Sequence, residues 1–303
     1  MRRILSGGAV LAAAAIGASS AAAATVPAFP APTVGPVFIA AQTVTSDGTM
    51  TNYFAPGSKV VFRAYAVNTK TKKLVAAKDM KFFYVKIPNQ PNVKLAYSPT
   101  GAGATKGMPW VGTWSIPADF KAGLVPIDIR IKLKSRRTGQ FVQMPVASSM
   151  LHVAAQPPAL FGPAPSGSTG LVASDDAANL SLYVDSVNGS RPVGAAPRQI
   201  GCSQTNVYKR GEQVVFRAWG MDLKGGDVLS IENVKEAHVA IAGQPNLTLN
   251  WGAHGATDAK VNFWTTPWIL PADFPLGSTT AHVVFTTLDG QTATFDYALN
   301  VIP

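Results

Sequence analysis

Three sets of side chains in this 303-residue sequence have the types and spacing that chemistry requires. The first is a thiol with two imidazoles: Cys202, the one cysteine, together with His238 and His254. Thiolate plus imidazole suits copper or zinc, so the three read as a candidate metal or electron-transfer site. Their spacing matches no compact metal signature, and a lone thiol also packs as a small hydrophobe. The second set is a ladder of cations. Arg130, Lys132 and Lys134 alternate with Ile129, Ile131 and Leu133, which on a strand places three charges on one face. Arg136 and Arg137 carry the charge into the next turn, giving a surface suited to phosphate, sulfate, a carboxylate polymer or anionic lipid. The third set is aromatic: Trp110 with Trp114, and Trp264 with Trp268, share a strand face within each pair. Exposed, they would form a platform for sugar rings; buried, they would supply core area, the reading that their recurrence favours.

Standard catalytic motifs are missing. Gly101-Ala-Gly-Ala-Thr-Lys106 lacks the Gly-Lys-Ser/Thr ending of a phosphate loop. There is no nucleophile elbow, no zinc-protease helix, and four histidines leave little material for a triad. The sequence therefore reads as non-enzymatic.

What must position these residues is a domain that occurs twice. Gly57-Ser-Lys-Val-Val-Phe-Arg-Ala-Tyr65 lies over Gly211-Glu-Gln-Val-Val-Phe-Arg-Ala-Trp219. The match runs without a gap to Gly123 over Gly277, so the offset is 154 throughout (57 against 211, 123 against 277). A period this long means two copies of one domain rather than a solenoid. What the copies share reads as scaffold, and what only one has is where function is sought. His238 replaces Tyr84, His254 replaces Thr100, and Cys202 lies in a segment, Asn188 to Tyr208, that is longer than its counterpart. The cationic ladder has no equivalent in His282–Gly290.

Short apolar runs separated by turn signals organise each copy. In the first they are Val37–Val44, Lys59–Val67, Lys81–Ile87, a run through Val93 and Leu95, Trp110–Ile116, Ile127–Leu133, a hairpin loop at Ser135–Gly139, and Phe141–Val153. Within Lys81–Ile87, Phe83, Val85 and Ile87 alternate with Tyr84 and Lys86, the period of a half-buried strand. No helical period is convincing. On the Val-Val-Phe-Arg-Ala strand, and on Trp114-Ser-Ile-Pro-Ala-Asp-Phe120 and Trp268-Ile-Leu-Pro-Ala-Asp-Phe274, the chain resembles a tandem of bacterial immunoglobulin-like domains. The resemblance implies an all-β protein of two β-sandwiches and leaves adhesion, carbohydrate binding, chaperoning and spacing all open.

Residues 1–24 read as a cleaved signal peptide, with Arg2-Arg3, an alanine-rich apolar run and Ala22-Ala23-Ala24 in the order that export uses. Residues 25–35 read as a Pro/Ala-rich tether, 36–155 as the first domain, 156–170 as a linker and 171–303 as the second domain. No later run is long and apolar enough for a transmembrane anchor. The expected address is periplasmic or secreted. One cysteine permits no internal disulfide, so packing alone must stabilise the fold.

The overall charge of +10 is unevenly placed. Residues 35–155 hold 16 Lys and Arg against 4 Asp and Glu, a net +12, whereas 156–303 hold 8 against 12, a net −4. The resulting expectation is a binding or accessory module whose basic first domain docks an acidic exported protein, an envelope polymer or an anionic lipid surface. Nucleic acid is not expected, since no nucleic-acid fold signature is present. A copper or zinc protein built on Cys202, His238 and His254, and a structural spacer or assembly subunit, are the alternatives.

Overall fold

The computed structural model describes residues 36–97, 110–142, 149–155, 157, 179–189, 201–254 and 261–303. The expected leader and tether lie outside these residues, as does the expected linker apart from Pro157. Among the described residues the chain is all-β, with a 3-10 turn at Ala77–Asp79.

In the first copy Val37–Val44, Lys59–Asn68, Trp110–Ser115 and Ala96–Tyr97 form one antiparallel sheet in that order. Thr138–Val142, Asp128–Leu133, Met80–Lys86 and Val93–Lys94 form a second. Phe62 and Ala64 from one sheet and Phe83, Val85, Ile129 and Ile131 from the other share a single buried cluster, which makes the pair a sandwich. The second copy repeats this with Leu180–Asn188, Gln213–Asp222, Val261–Ile269 and Asn250–His254 in one sheet. Its other sheet holds Val207–Lys209, Thr292–Ile302, Gly277–Thr287, Val234–Ile241 and Leu247–Thr248.

The expected last strand of copy one, Phe141–Val153, is not a single element. Thr138–Val142 closes the hairpin, and His152–Val153 pairs instead with Tyr53–Phe54 and Gly123–Leu124. The hairpin loop is also tighter than expected, because Leu133 N–H donates to the Arg137 carbonyl at 2.8 Å and pairing resumes at Thr138. Arg136 reverses the chain there with φ at 67°.

Val37–Val44 is apolar at both parities, and the structure gives the reason. Val37, Ile39 and Ala41 enter the core of their own copy, while Ala40 and Val44, with Tyr65, Val67 and Met50, join the buried cluster of the other copy. The two central sheets thus meet face to face, and the outer sheets lie on opposite sides of them. Met50 N–H donates to Asn206 Oδ1 at 3.2 Å, and Gln204 N–H donates to Asn52 Oδ1 at 2.8 Å. Met50 with Gln204, and Asn52 with Asn206, are equivalent at the 154 offset, so the contact is reciprocal, as in a two-fold dimer.

The seam is polar at its centre. Arg217 donates to both oxygens of Asp185 at 2.6 Å and, through Nη1, to Ser149 Oγ at 2.7 Å. Asp185 Oδ2 also accepts from Gln204 Nε2 at 2.8 Å and from the Tyr183 hydroxyl at 3.2 Å. Burial pulls the Arg217 guanidinium down, but the adjacent carboxylate outweighs it and holds the group above its ordinary range. In the first copy Gln42 stands opposite Arg63 where Asp185 stands opposite Arg217, so the ion pair belongs to one copy alone.

Tyrosines line the same seam. Tyr65 donates to the Leu182 carbonyl, and burial raises its hydroxyl pKa. Tyr183 is raised by burial and then by the Asp185 charge, and Tyr297 by burial and then by Tyr208. Tyr53, beneath the His152 ring, is pushed up to about 12 by burial. Groups with raised folded pKa values stabilise the fold fully below the unfolded tyrosine value of about 10, and lose that contribution as pH rises through the folded values. Urea unfolding is therefore expected to show a midpoint that falls steadily between about pH 10 and about pH 12; a flat midpoint across that window would contradict these buried hydroxyls.

Candidate functional site

The cationic ladder lies on the outward face of the first copy's outer sheet. Ile129, Ile131 and Leu133 point into the core, so Arg130 and Lys132 point out, as their alternation requires. Lys134 and Arg136 continue from them in the turn, both exposed. Arg137 departs from the expected set: its Nε and Nη2 donate to the Pro36 carbonyl at 3.3 and 3.1 Å, and Nη2 donates to Thr69 Oγ1 at 2.9 Å. It ties the hairpin to the first strand. Arg130 is shared with Asp128, whose Oδ2 lies 2.6 Å from its Nε.

Strand pairing adds residues that the ladder alone does not reveal. Tyr84 lies opposite Arg130 on one side and Lys94 on the other, Phe82 lies opposite Lys132, and Lys86 follows two residues beyond Tyr84. Phe82 and Tyr84 are half-buried, with ring centroids 5.3 Å apart and planes inclined by 34°. Two aromatic rings therefore run down the middle of this face with cations on both flanks. The outward reading of Tyr84 and Lys86 was open to the sequence; their pairing with Arg130 and Lys94 is non-local. At the equivalent positions the second copy presents Glu236, His238, Ala240, Val284, Thr286 and Thr248.

The expected metal ligands are not gathered. His238 is on the outward face of the second copy's outer sheet, with Nδ1 2.9 Å from Glu236 Oε1, near enough for an ion pair when the ring is protonated. His254 belongs to the central sheet instead and packs on Phe263 at 4.3 Å, where burial and then Arg217 lower its pKa. Cys202 is exposed in a turn at the seam. Among the described residues no three His, Cys, Asp or Glu side chains are arranged to hold a metal.

Cys202 has a simpler account. Its N–H donates to the Asn188 carbonyl at 2.8 Å, as Gly48 N–H does to Thr45 at 3.0 Å, so Cys202 occupies the turn position of Gly48. Both adopt the left-handed conformation, with φ at 61° and 92°. Here the thiol is a side chain on a backbone site that favours glycine. The longer segment between Asn188 and Cys202 includes 190–200, outside the described residues.

The tryptophans are core. Trp110, Trp114, Trp264 and Trp268 are all buried. Trp114 meets Phe120 and Trp268 meets Phe274 edge-on, each pair 5.3 Å apart, so the copies reproduce the contact. No exposed tryptophan platform exists among the described residues.

No family model and no curated relative matches the chain. Among solved structures it is similar to SGBP-B of the Bacteroides ovatus mixed-linkage glucan utilization locus, in complex with a mixed-linkage heptasaccharide. The identity is 12% and the TM-score 0.19, over 86% of this chain and 44% of that one. It is also similar to fibronectin(III)-like modules of Clostridium thermocellum CbhA, at 8% identity and TM-score 0.21, over 86% and 93% of the two chains. A third likeness is to dimeric latent PorU from Porphyromonas gingivalis, at 12% identity and TM-score 0.25, over 89% of this chain and 24% of that one. Likenesses of this size carry no argument about ligand or activity. No helix among the described residues is long and apolar enough to cross a membrane.

Proposed function

We propose that the chain is an exported, non-catalytic binding module that docks an acidic partner on the outer sheet of its first copy. The observation that carries this reading is the contrast between equivalent faces. Arg130, Lys132, Lys86 and Lys94 crowd one of them, and the same positions of the other copy are Val284, Thr286, Ala240 and Thr248. Two sandwiches that share a scaffold and differ this sharply in surface charge have diverged where contact with a partner is made. Export rests on the leader-like residues 1–24.

Immobilised heparin and immobilised polyglutamate test this. Binding to at least one polyanion is expected at low salt, to be lost by about 1 M salt, where the screening length is about 3 Å. Replacing Arg130, Lys132, Lys86 and Lys94 together by serine is expected to abolish it. Retention that ignores salt, or that survives the four substitutions, would overturn the proposal. Failure of the unaltered chain to bind any polyanion would favour a spacer role.

A further inference from the structure

Charge alone would be served by lysines on any scaffold, but this face also spends two aromatic rings on solvent. Phe82 and Tyr84 are adjacent outward positions of a single strand, half-buried and in contact, with their ring planes inclined by 34°. They form a short apolar strip along the strand. The flanking cations stand at fixed register: Lys132 beside Phe82, and Arg130 and Lys94 on either side of Tyr84. We infer that the face holds an acidic polysaccharide, whose sugar rings stack on Phe82 and Tyr84 and whose carboxylate or sulfate groups meet Arg130, Lys132, Lys94 and Lys86. This rests on the reading of the same face as an anion-docking surface.

The match is chemical on both counts. The face of an aromatic ring is electron-rich and receives the weakly positive C–H groups that a sugar ring presents on its flat side. Anionic substituents projecting sideways from a chain laid along the strip reach cations to left and right, whereas a row of cations on one side only would serve a point charge. A lipid surface fits less well, because membrane docking calls for protruding apolar anchors beside the charge. The most exposed large apolar side chains among the described residues, Ile231 and Leu288, are on the second copy, away from this sheet. An acidic polypeptide would need the cations but would leave the two rings without a role.

Three probes separate these cases: polygalacturonate as an acidic glycan, polyglutamate as an acidic polypeptide, and vesicles containing phosphatidylglycerol. The variants follow the residues that the second copy carries on the same strand, Phe82→Glu being replaced by the uncharged Phe82→Gln, together with Tyr84→His. Circular dichroism confirms folding. Polygalacturonate is expected to bind more tightly than polyglutamate at equal salt, and each ring substitution to weaken polygalacturonate about tenfold, or about 1.4 kcal/mol, while leaving polyglutamate unchanged. Asp128→Asn, which frees Arg130, is expected to tighten polygalacturonate roughly threefold. Equal binding of both polymers with no effect of Phe82→Gln or Tyr84→His would overturn the glycan inference while leaving the anion-docking proposal standing. Preference for the vesicles would overturn it in favour of lipid, and loss of all three would sink both.

Discussion

Replacing Asp185 by alanine is expected to lower the free energy of unfolding by about 3–5 kcal/mol, because it leaves a buried guanidinium without its neutralising carboxylate. Arg217 is 3% exposed and Asp185 1%, so water does not rescue either. The loss spreads further than one pair, since Gln204 and Tyr183 also donate to Asp185 and Ser149 accepts from Arg217. Set against the 5–15 kcal/mol of an ordinary fold, this is a large fraction. Urea unfolding followed by tryptophan fluorescence measures it. A second variant keeps the result interpretable: Asp185→Leu with Arg217→Met removes both charges and is expected to cost little or even to stabilise, as for other buried pairs exchanged for apolar residues. If Asp185→Ala shifts stability by less than about 1 kcal/mol, the pair is hydrated in solution and the seam opens readily.

Trp110→Ala is expected to cost about 3–5 kcal/mol, the range for deleting a large buried aromatic side chain. Trp110 is 1% exposed, meets Phe83 and Tyr97 edge-on at 5.5 and 5.0 Å, and donates its indole N–H to the Val75 carbonyl at 3.2 Å. Trp264 donates to the Leu229 carbonyl at 2.7 Å, and Val75 and Leu229 are equivalent at the 154 offset, so the hydrogen bond is part of the shared scaffold. Trp110→Phe is expected to cost less, about 1–3 kcal/mol, mainly through the carbonyl left unpaired. Neither change should alter binding by the remaining folded protein. A Trp110→Ala protein of unchanged stability that no longer binds polygalacturonate would reinstate the tryptophans as ligand contacts.

The fold was legible because its signals are local. Alternation in Lys81–Ile87 and the doubled tryptophan-to-phenylalanine spacing each act over a few residues, and each sits where strand chemistry places it. The ladder at Arg130 and Lys132 was legible for the same reason. Phe82 and Lys94 were missed as its companions because strand pairing sets them beside it, across stretches of chain that the pattern does not connect. The seam was hinted at by one observation: a strand apolar at both parities has two faces to bury. Nothing local told what would cover the second face, since Asn52 and Gln204 are 152 residues apart. Cys202 misled because residue type suggested a ligand, while the backbone at that turn asked only for a left-handed conformation.

The reciprocal bonds between Met50 and Asn206 and between Gln204 and Asn52 bear on valence. Two identical sandwiches joined in this way would offer the same ligand face on both sides of the assembly, and a polymer would then be cross-linked by every molecule that bound it. In the joined chain, among the described residues, the basic and aromatic face belongs to the first copy's outer sheet and the equivalent face of the second copy lacks it. Under the docking proposed for that face, each molecule would coat an acidic strand without bridging it to the next, and a multivalent gain in affinity would need several molecules lined along the same polymer.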